Sequence, residues 1–227
     1  MLPAQAIAET EAIPATSELE YRPPQTGETE SSGIAYAHVK RLIDIVFVIV
    51  AGPGILLVIG FAALAIAITM GYPIFFFNER VGRGGRIFKM VKLRTMANGG
   101  GKTYIATLKN DPRITPLGNL LRRTHIDELP QLWNILVGDM TMIGPRPEQP
   151  HLVEYYREHI ANYDFRHNVT PGLSGWSQVC FGYATDLEET KKKLTYDLEY
   201  IQRFGPRIDF EILLRTLRVY LDPNFVR

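Results

Sequence analysis

Two adjacent carboxylates, Asp127 and Glu128, stand in the stretch Thr124-His125-Ile126-Asp127-Glu128-Leu129-Pro130-Gln131-Leu132. Thr124 reads as a helix N-cap, and Asp127 three positions later gives a capping-box-like pattern. Pro130 fits only a first turn, where a missing N–H does little harm. Leu129, Leu132, Trp133 and Leu136 then form one apolar stripe at helical spacing. A helix start carries partial positive charge and free N–H groups, so it favours phosphate and other anions. Two readings of the pair are open. The carboxylates are helix caps, or they are the nucleophilic and metal-binding groups of a phosphate-handling site. Adjacent helical residues point about 100° apart, which gives the two carboxylates separate roles.

Basic residues accompany the pair. Gly144-Pro145-Arg146-Pro147 fixes the backbone around one guanidinium, which is either rigidly presented or the solvated end of a helix-terminating turn. Phe88 and Met90 alternate imperfectly with Lys89, Lys92 and Arg94, as in a strand. Pro73–Phe77 reads as a short extended stretch at a membrane surface, and Gly82-Arg83-Gly84-Gly85 as a loop or hairpin turn. Asn98-Gly99-Gly100-Gly101-Lys102 is a flexible loop that lacks P-loop spacing. Leu117–Arg123, Leu152–Tyr163, Leu187–Phe204 and the amphipathic Phe210–Leu221 read as helices, while Pro171–Trp176 is a turn-rich connector. The five histidines lack close metal-ligand spacing.

Residues 1–38 hold six glutamates against Arg22 alone and are rich in Pro, Ala, Thr and Ser, so they read as a disordered polar tail. The tail has no basic region followed by an apolar one, so it is not a secretory signal. Cys180 is the only cysteine, which excludes an internal disulfide and a cysteine-based zinc site and fits a reducing compartment. From Ile45 to Ile68 there is no charge, a run long enough to cross a bilayer, and Gly52-Pro53-Gly54 interrupts it. A kinked crossing competes with a helix that enters, bends near Pro53 and returns. Lys40 and Arg41 before the run and Arg80, Arg83, Arg86 and Lys89 after it make both flanks positive, which favours the return.

Taken in order, these islands resemble the bacterial sugar transferase family, the monotopic phosphoglycosyl transferases. The matching pieces are Lys40–Asp44, the proline-broken segment, Asn78–Gly82, Phe88–Met96, Asp111–Thr115, Leu120–Pro147, Pro171–Trp176 and Asp197. They cover about residues 39–221. Two departures stand out: Gly52 replaces the family's serine before the break proline, and Cys180-Phe181-Gly182-Tyr183 replaces its Asn-Gly-Arg.

The resemblance implies a mainly α protein with a small β-hairpin element (α+β). Its parts would be a tail (1–38), a re-entrant membrane helix (39–71) and a cytoplasmic catalytic domain (72–227). At the cytoplasmic face of the bacterial inner membrane it would transfer a sugar-1-phosphate from a UDP-sugar to polyprenyl (undecaprenyl) phosphate, releasing UMP. It would thereby initiate exopolysaccharide, capsule or O-antigen-type glycan assembly. Asp127 would be the nucleophile of a covalent aspartyl-phosphosugar intermediate and Glu128 its partner, both on Mg²⁺, which takes hard oxygens from carboxylates and substrate phosphates. Arg146 and Arg94 would clamp phosphate oxygens, Lys92 and Arg80 would add positive field, and Asp197 would complete the substrate-binding set. Partners would be the phospholipid membrane and downstream glycosyltransferases, with no nucleic acid. The alternatives are a non-catalytic membrane adaptor of a polysaccharide assembly complex, and a prenyl-phosphate enzyme that releases UDP.

Overall fold

The structure, a computed structural model, describes residues 28–97, 111–182, 184 and 186–221. The Asn98–Lys102 loop and most of the N-terminal tail lie outside the described residues. The first helix, α1 (Glu28–Met70), starts well inside the segment expected to be disordered. Tertiary contact explains the difference: Tyr36 Oη donates to Asp209 Oδ2 at 2.6 Å and the Lys40 ammonium pairs with the same carboxylate. Composition alone could not supply that partner.

α1 continues as helix through Pro53. One stripe of it packs on the rest of the chain along its length. Lys40 and Asp44 are buried, Val48 and Ile55 pack on one apolar cluster, and Ile59, Ala62, Ile66 and Met70 on another. The spacing of three, four and seven residues is that of one helical face. The opposite face leaves Val46, Phe47, Val50, Leu57, Phe61 and Ile68 exposed. Arg94 closes the end of α1, with Nη2 donating to Met70 O at 2.6 Å and Gly71 O at 2.7 Å, carbonyls that a helix terminus leaves unpaired.

The antiparallel hairpin β1 (Phe75–Val81) and β2 (Ile87–Leu93) follows, with Val81 opposite Ile87 across an Arg83–Gly85 turn. β2 alternates buried Phe88 and Met90 with exposed Lys89, as expected. Its outer edge is satisfied by one side chain: Asn134 Oδ1 accepts from Val91 N at 3.1 Å and Nδ2 donates to Lys89 O at 2.8 Å. That amide docks the carboxylate-bearing segment onto the hairpin.

This segment is α2 (Pro116–Arg123), a 3₁₀ turn (Ile126–Gln131) and α3 (Leu132–Val137). Thr124 does not N-cap it. Its hydroxyl donates to Leu120 O at 2.9 Å and closes α2 instead. His125, in the left-handed region at φ 55°, turns the chain into the 3₁₀ segment. The expected apolar stripe is also split. Leu132 and Ile135 are buried, whereas Trp133 and Leu136 are exposed, because Asn134 must face β2 and so rotates Trp133 outward.

The second half holds β3 (Thr141–Ile143), α4 (Pro150–His159), a 3₁₀ turn (Tyr163–Asn168), β4 (Gly172–Ser174), α5 (Trp176–Cys180), α6 (Leu187–Gln202) and α7 (Pro206–Leu221). Its core is built from Val153, Tyr163, Trp176, Leu198, Ile201 and Ile212. The described architecture is mostly helical with small sheets, as the sequence indicates. The parallel β3–β4 pair was not foreseen, since three-residue strands carry no periodicity.

At that pair the backbones touch. A Cβ on Gly172 would lie 2.1 Å from Gly144 N, and one on Gly175 2.3 Å from Gly144 O. Gly172→Ala is expected to lower stability by about 1–3 kcal/mol, the usual cost of overpacking, read as a shift in the denaturation midpoint at constant slope. An unshifted midpoint would show that the two strands can separate freely.

Candidate active site

Three elements converge on Glu128. The Lys92 ammonium from β2 lies 2.7 Å from Glu128 Oε1. The Arg146 guanidinium, from the turn after β3, meets Oε1 at 2.5 Å and Oε2 at 3.3 Å. This fork-on-carboxylate geometry is the strongest type of charged hydrogen bonding. Burial would raise the Glu128 pKa, but Arg146 and Lys92 together hold its carboxyl well below the ordinary glutamate range. Burial pulls Lys92 downward, with Glu128 opposing that shift.

Asp127 differs. It is buried, 7% exposed, and among the described residues no side chain hydrogen-bonds to it. Burial pushes its carboxyl up to about 6, with Lys92 opposing and Glu128 reinforcing the rise. The pair sits in a 3₁₀ turn, where successive side chains diverge by about 120°. Glu128 is therefore held between two cations, while its neighbour has no hydrogen-bonded partner among the described residues.

The turn presenting Arg146 is secured by its carbonyls. Gly172 N donates to Pro145 O at 3.0 Å, Arg166 Nη2 to Arg146 O at 2.8 Å, Arg80 Nη1 to Pro147 O at 3.2 Å and Val81 N to Glu148 O at 2.9 Å. Arg166 is itself fixed by Asp197 at 2.8 Å and by Tyr163 Oη at 2.7 Å. Glu148 pairs with Lys193 at 2.6 Å and faces Arg80 at 3.8 Å.

Of the residues proposed from sequence, the fold brings Asp127, Glu128, Lys92 and Arg146 together. Arg80 and Asp197 serve the backbone beneath Arg146: Arg80 holds Pro147 O, and Asp197 is almost wholly buried against Arg166. Arg94 binds the carbonyls that end α1. Gly52 and Pro53 lie within α1, away from the carboxylates in sequence and inside continuous helix. Arg166, Glu148 and Lys193 were missed. Their signal was only charge in a mixed segment, and Arg166 finds Asp197 31 residues away.

A hard divalent cation takes one or two carboxylates plus substrate phosphate oxygens and waters. Among the described residues no cluster of three metal-ligating side chains exists. Among the described residues Asp127 has no hydrogen bond to give up, so the donor set suits a cation completed by phosphates better than a closed protein cage.

The pattern of a bacterial sugar transferase matches residues 35–223. A UDP-N-acetylgalactosamine-undecaprenyl-phosphate N-acetylgalactosaminephosphotransferase of Aeromonas hydrophila is 38% identical over 187 residues, 82% of this chain and 44% of that protein. A UDP-glucose:undecaprenyl-phosphate glucose-1-phosphate transferase of Xanthomonas campestris pv. campestris is 38% identical over 181 residues, 78% of this chain and 37% of its own length. One of the same description from Caulobacter vibrioides is 36% identical over 181 residues, covering 68% of itself. The chain thus spans less than half of the first two relatives.

In metal-free protein the Asp127 carboxyl is expected to titrate near pH 6, while Glu128 stays ionised throughout the neutral range. Carboxyl ¹³C NMR of wild type against Asp127→Asn assigns the signal. A midpoint at the ordinary aspartate value of 3.8 would rule out a desolvated Asp127.

Proposed function

This chain belongs to the bacterial sugar transferase family, and we propose that it moves a sugar-1-phosphate from a UDP-sugar to undecaprenyl phosphate, releasing UMP. The observation that carries the reading is the asymmetric pair: a buried Asp127 with no hydrogen-bonded partner among the described residues, beside a Glu128 fixed by Lys92 and Arg146. A non-catalytic adaptor has no use for such a desolvated carboxylate.

In this proposal Asp127, once ionised, attacks the β-phosphorus of the UDP-sugar. A bond forms from its carboxylate oxygen to phosphorus, and the bond to the α-phosphate oxygen breaks, so UMP leaves with that electron pair. An oxygen of the lipid phosphate then attacks the same phosphorus, and Asp127 departs as carboxylate. Splitting the displacement gives each acceptor its own step. Glu128 stays ionised, which fits orienting and charge-balancing work better than proton donation. Arg146 and Lys92 supply positive charge where phosphate oxygens gather. Mg²⁺, held by Asp127 and Glu128 with substrate phosphates, would neutralise the diphosphate.

Purified protein with UDP-glucose or UDP-N-acetylgalactosamine, Mg²⁺ and undecaprenyl phosphate is expected to release UMP. Asp127→Asn should cut the rate by at least about a hundredfold, since no covalent step remains. Release of UDP, or full activity in the variant, would defeat the mechanism.

The topology proposed is monotopic, with α1 entering and leaving the cytoplasmic leaflet. A straight crossing would lift the apolar run away from the rest of the chain. Instead its packed stripe continues on both sides of Pro53 while the outer face stays apolar. Exposed Trp133, Leu136 and Val137 on α3 and Phe210, Leu213, Leu214 and Leu217 on α7 add apolar surface on elements that touch α1. Reporter tags at residues 1 and 227 are expected to lie on the same, cytoplasmic side. A periplasmic N-terminus would refute the re-entrant path and leave the chemistry standing.

A further inference from the structure

Asp44 ties the apolar helix to the strand that delivers Arg146. It stands on α1 immediately before the uncharged run and is only 3% exposed. Its carboxylate accepts from Thr141 Oγ1 at 2.5 Å and from Met142 N at 3.2 Å. On the other edge of β3, Thr141 N donates to Pro171 O at 2.9 Å and Gly144 N to Ser174 O at 2.8 Å. Asp44 therefore substitutes for a neighbouring strand on the edge that β4 leaves open.

A second tie reaches the next residue. Tyr200 Oη lies 3.1 Å from Ile143 O and 2.9 Å from Asp209 Oδ1, sharing one proton between them. The other Asp209 oxygen takes Tyr36 and Lys40 of α1. Three consecutive residues of β3 are thus referred to the helix. Between Ile143 and Arg146 there are only Gly144, pressed on the Thr170–Gly172 backbone, and Pro145, whose φ is locked. Displacement of β3 has little slack to absorb it and passes to Arg146.

We propose that Asp44 is a positioning residue for the transfer, through which the seating of α1 sets the Arg146 guanidinium against Glu128. The proposal rests on the transferase reading. It makes catalysis depend on how the lipid-facing helix is held, although Asp44 itself touches no reacting atom.

The test uses the full chain in phosphatidylethanolamine–phosphatidylglycerol nanodiscs, with Asp44→Asn, the milder Thr141→Val, Arg146→Lys and the Asp44→Asn/Arg146→Lys double variant. Hydrogen exchange across residues 141–148 should quicken in Asp44→Asn and, less strongly, in Thr141→Val. UMP release from UDP-glucose or UDP-N-acetylgalactosamine should show kcat lowered about tenfold or more in Asp44→Asn, the scale of loss when a remote change misplaces a catalytic group. Membrane-bound protein should remain at the wild-type level, and adding Asp44→Asn to Arg146→Lys should cost little more than Arg146→Lys alone. Unchanged exchange at residues 144–148 overturns the proposal, as do losses that multiply in the double variant. Wild type that releases no UMP strikes at the transferase reading, while the exchange result still decides the coupling.

Discussion

The ion cluster of Lys92, Glu128 and Arg146 is the joint on which the site depends. It binds the hairpin, the 3₁₀ turn and the proline-bounded turn to one carboxylate, in a partly buried setting where each charge needs the others. A partly buried carboxylate facing two cations is favourable only while both are held in place, and removal of either leaves a charge inadequately compensated. Hence the layers behind it: Asn134 on the edge of β2, and Arg166 with Asp197 beneath Arg146. The same arrangement separates the fates of two neighbouring residues. Glu128 is paired with both cations and held ionised, whereas among the described residues no side chain hydrogen-bonds to Asp127, whose carboxyl burial pushes up.

The long helix is governed by a different constraint. Its outer face is too apolar for water and its inner face is committed to the rest of the chain. Polar groups along the inner face do the attaching. Lys40 reaches α7, Arg41 donates to the Ile135 and Leu136 carbonyls at the end of α3, and Asp44 reaches β3. A helix held by hydrogen bonds at its start and by Arg94 at its end is registered along its axis as well as laterally.

Much of this was legible in the sequence. Periodicity found the helices, alternation found β2, and motif order gathered Asp127, Glu128, Lys92 and Arg146 before any coordinates. What escaped was decided by which partner each side chain meets, whether near in the sequence, as for Thr124, or far, as for Asn134 and Arg166. Thr124 looks like an N-cap until the carbonyls of α2 claim its hydroxyl. Trp133 looks like core until Asn134 turns toward β2. Charge in a functional segment marks Asp197 and Arg80 as ligands for substrate; the fold also gives them other partners, Asp197 accepting from Arg166, whose guanidinium donates to Arg146 O, and Arg80 donating to Pro147 O.

The contact of Gly144 with Gly172 and Gly175 has a consequence for how such a protein can diverge. Where main chain meets main chain, no side chain separates the two, and variation has nothing to act on except by forcing the strands apart. Beyond α5 the packing is looser: a Cβ on Gly182 would meet nothing within 4 Å, although its φ of 91° still favours glycine. Sequence drift is thereby steered past the joint and into the segment that follows it. The fold can accept change there without disturbing the turn that presents Arg146 to Glu128.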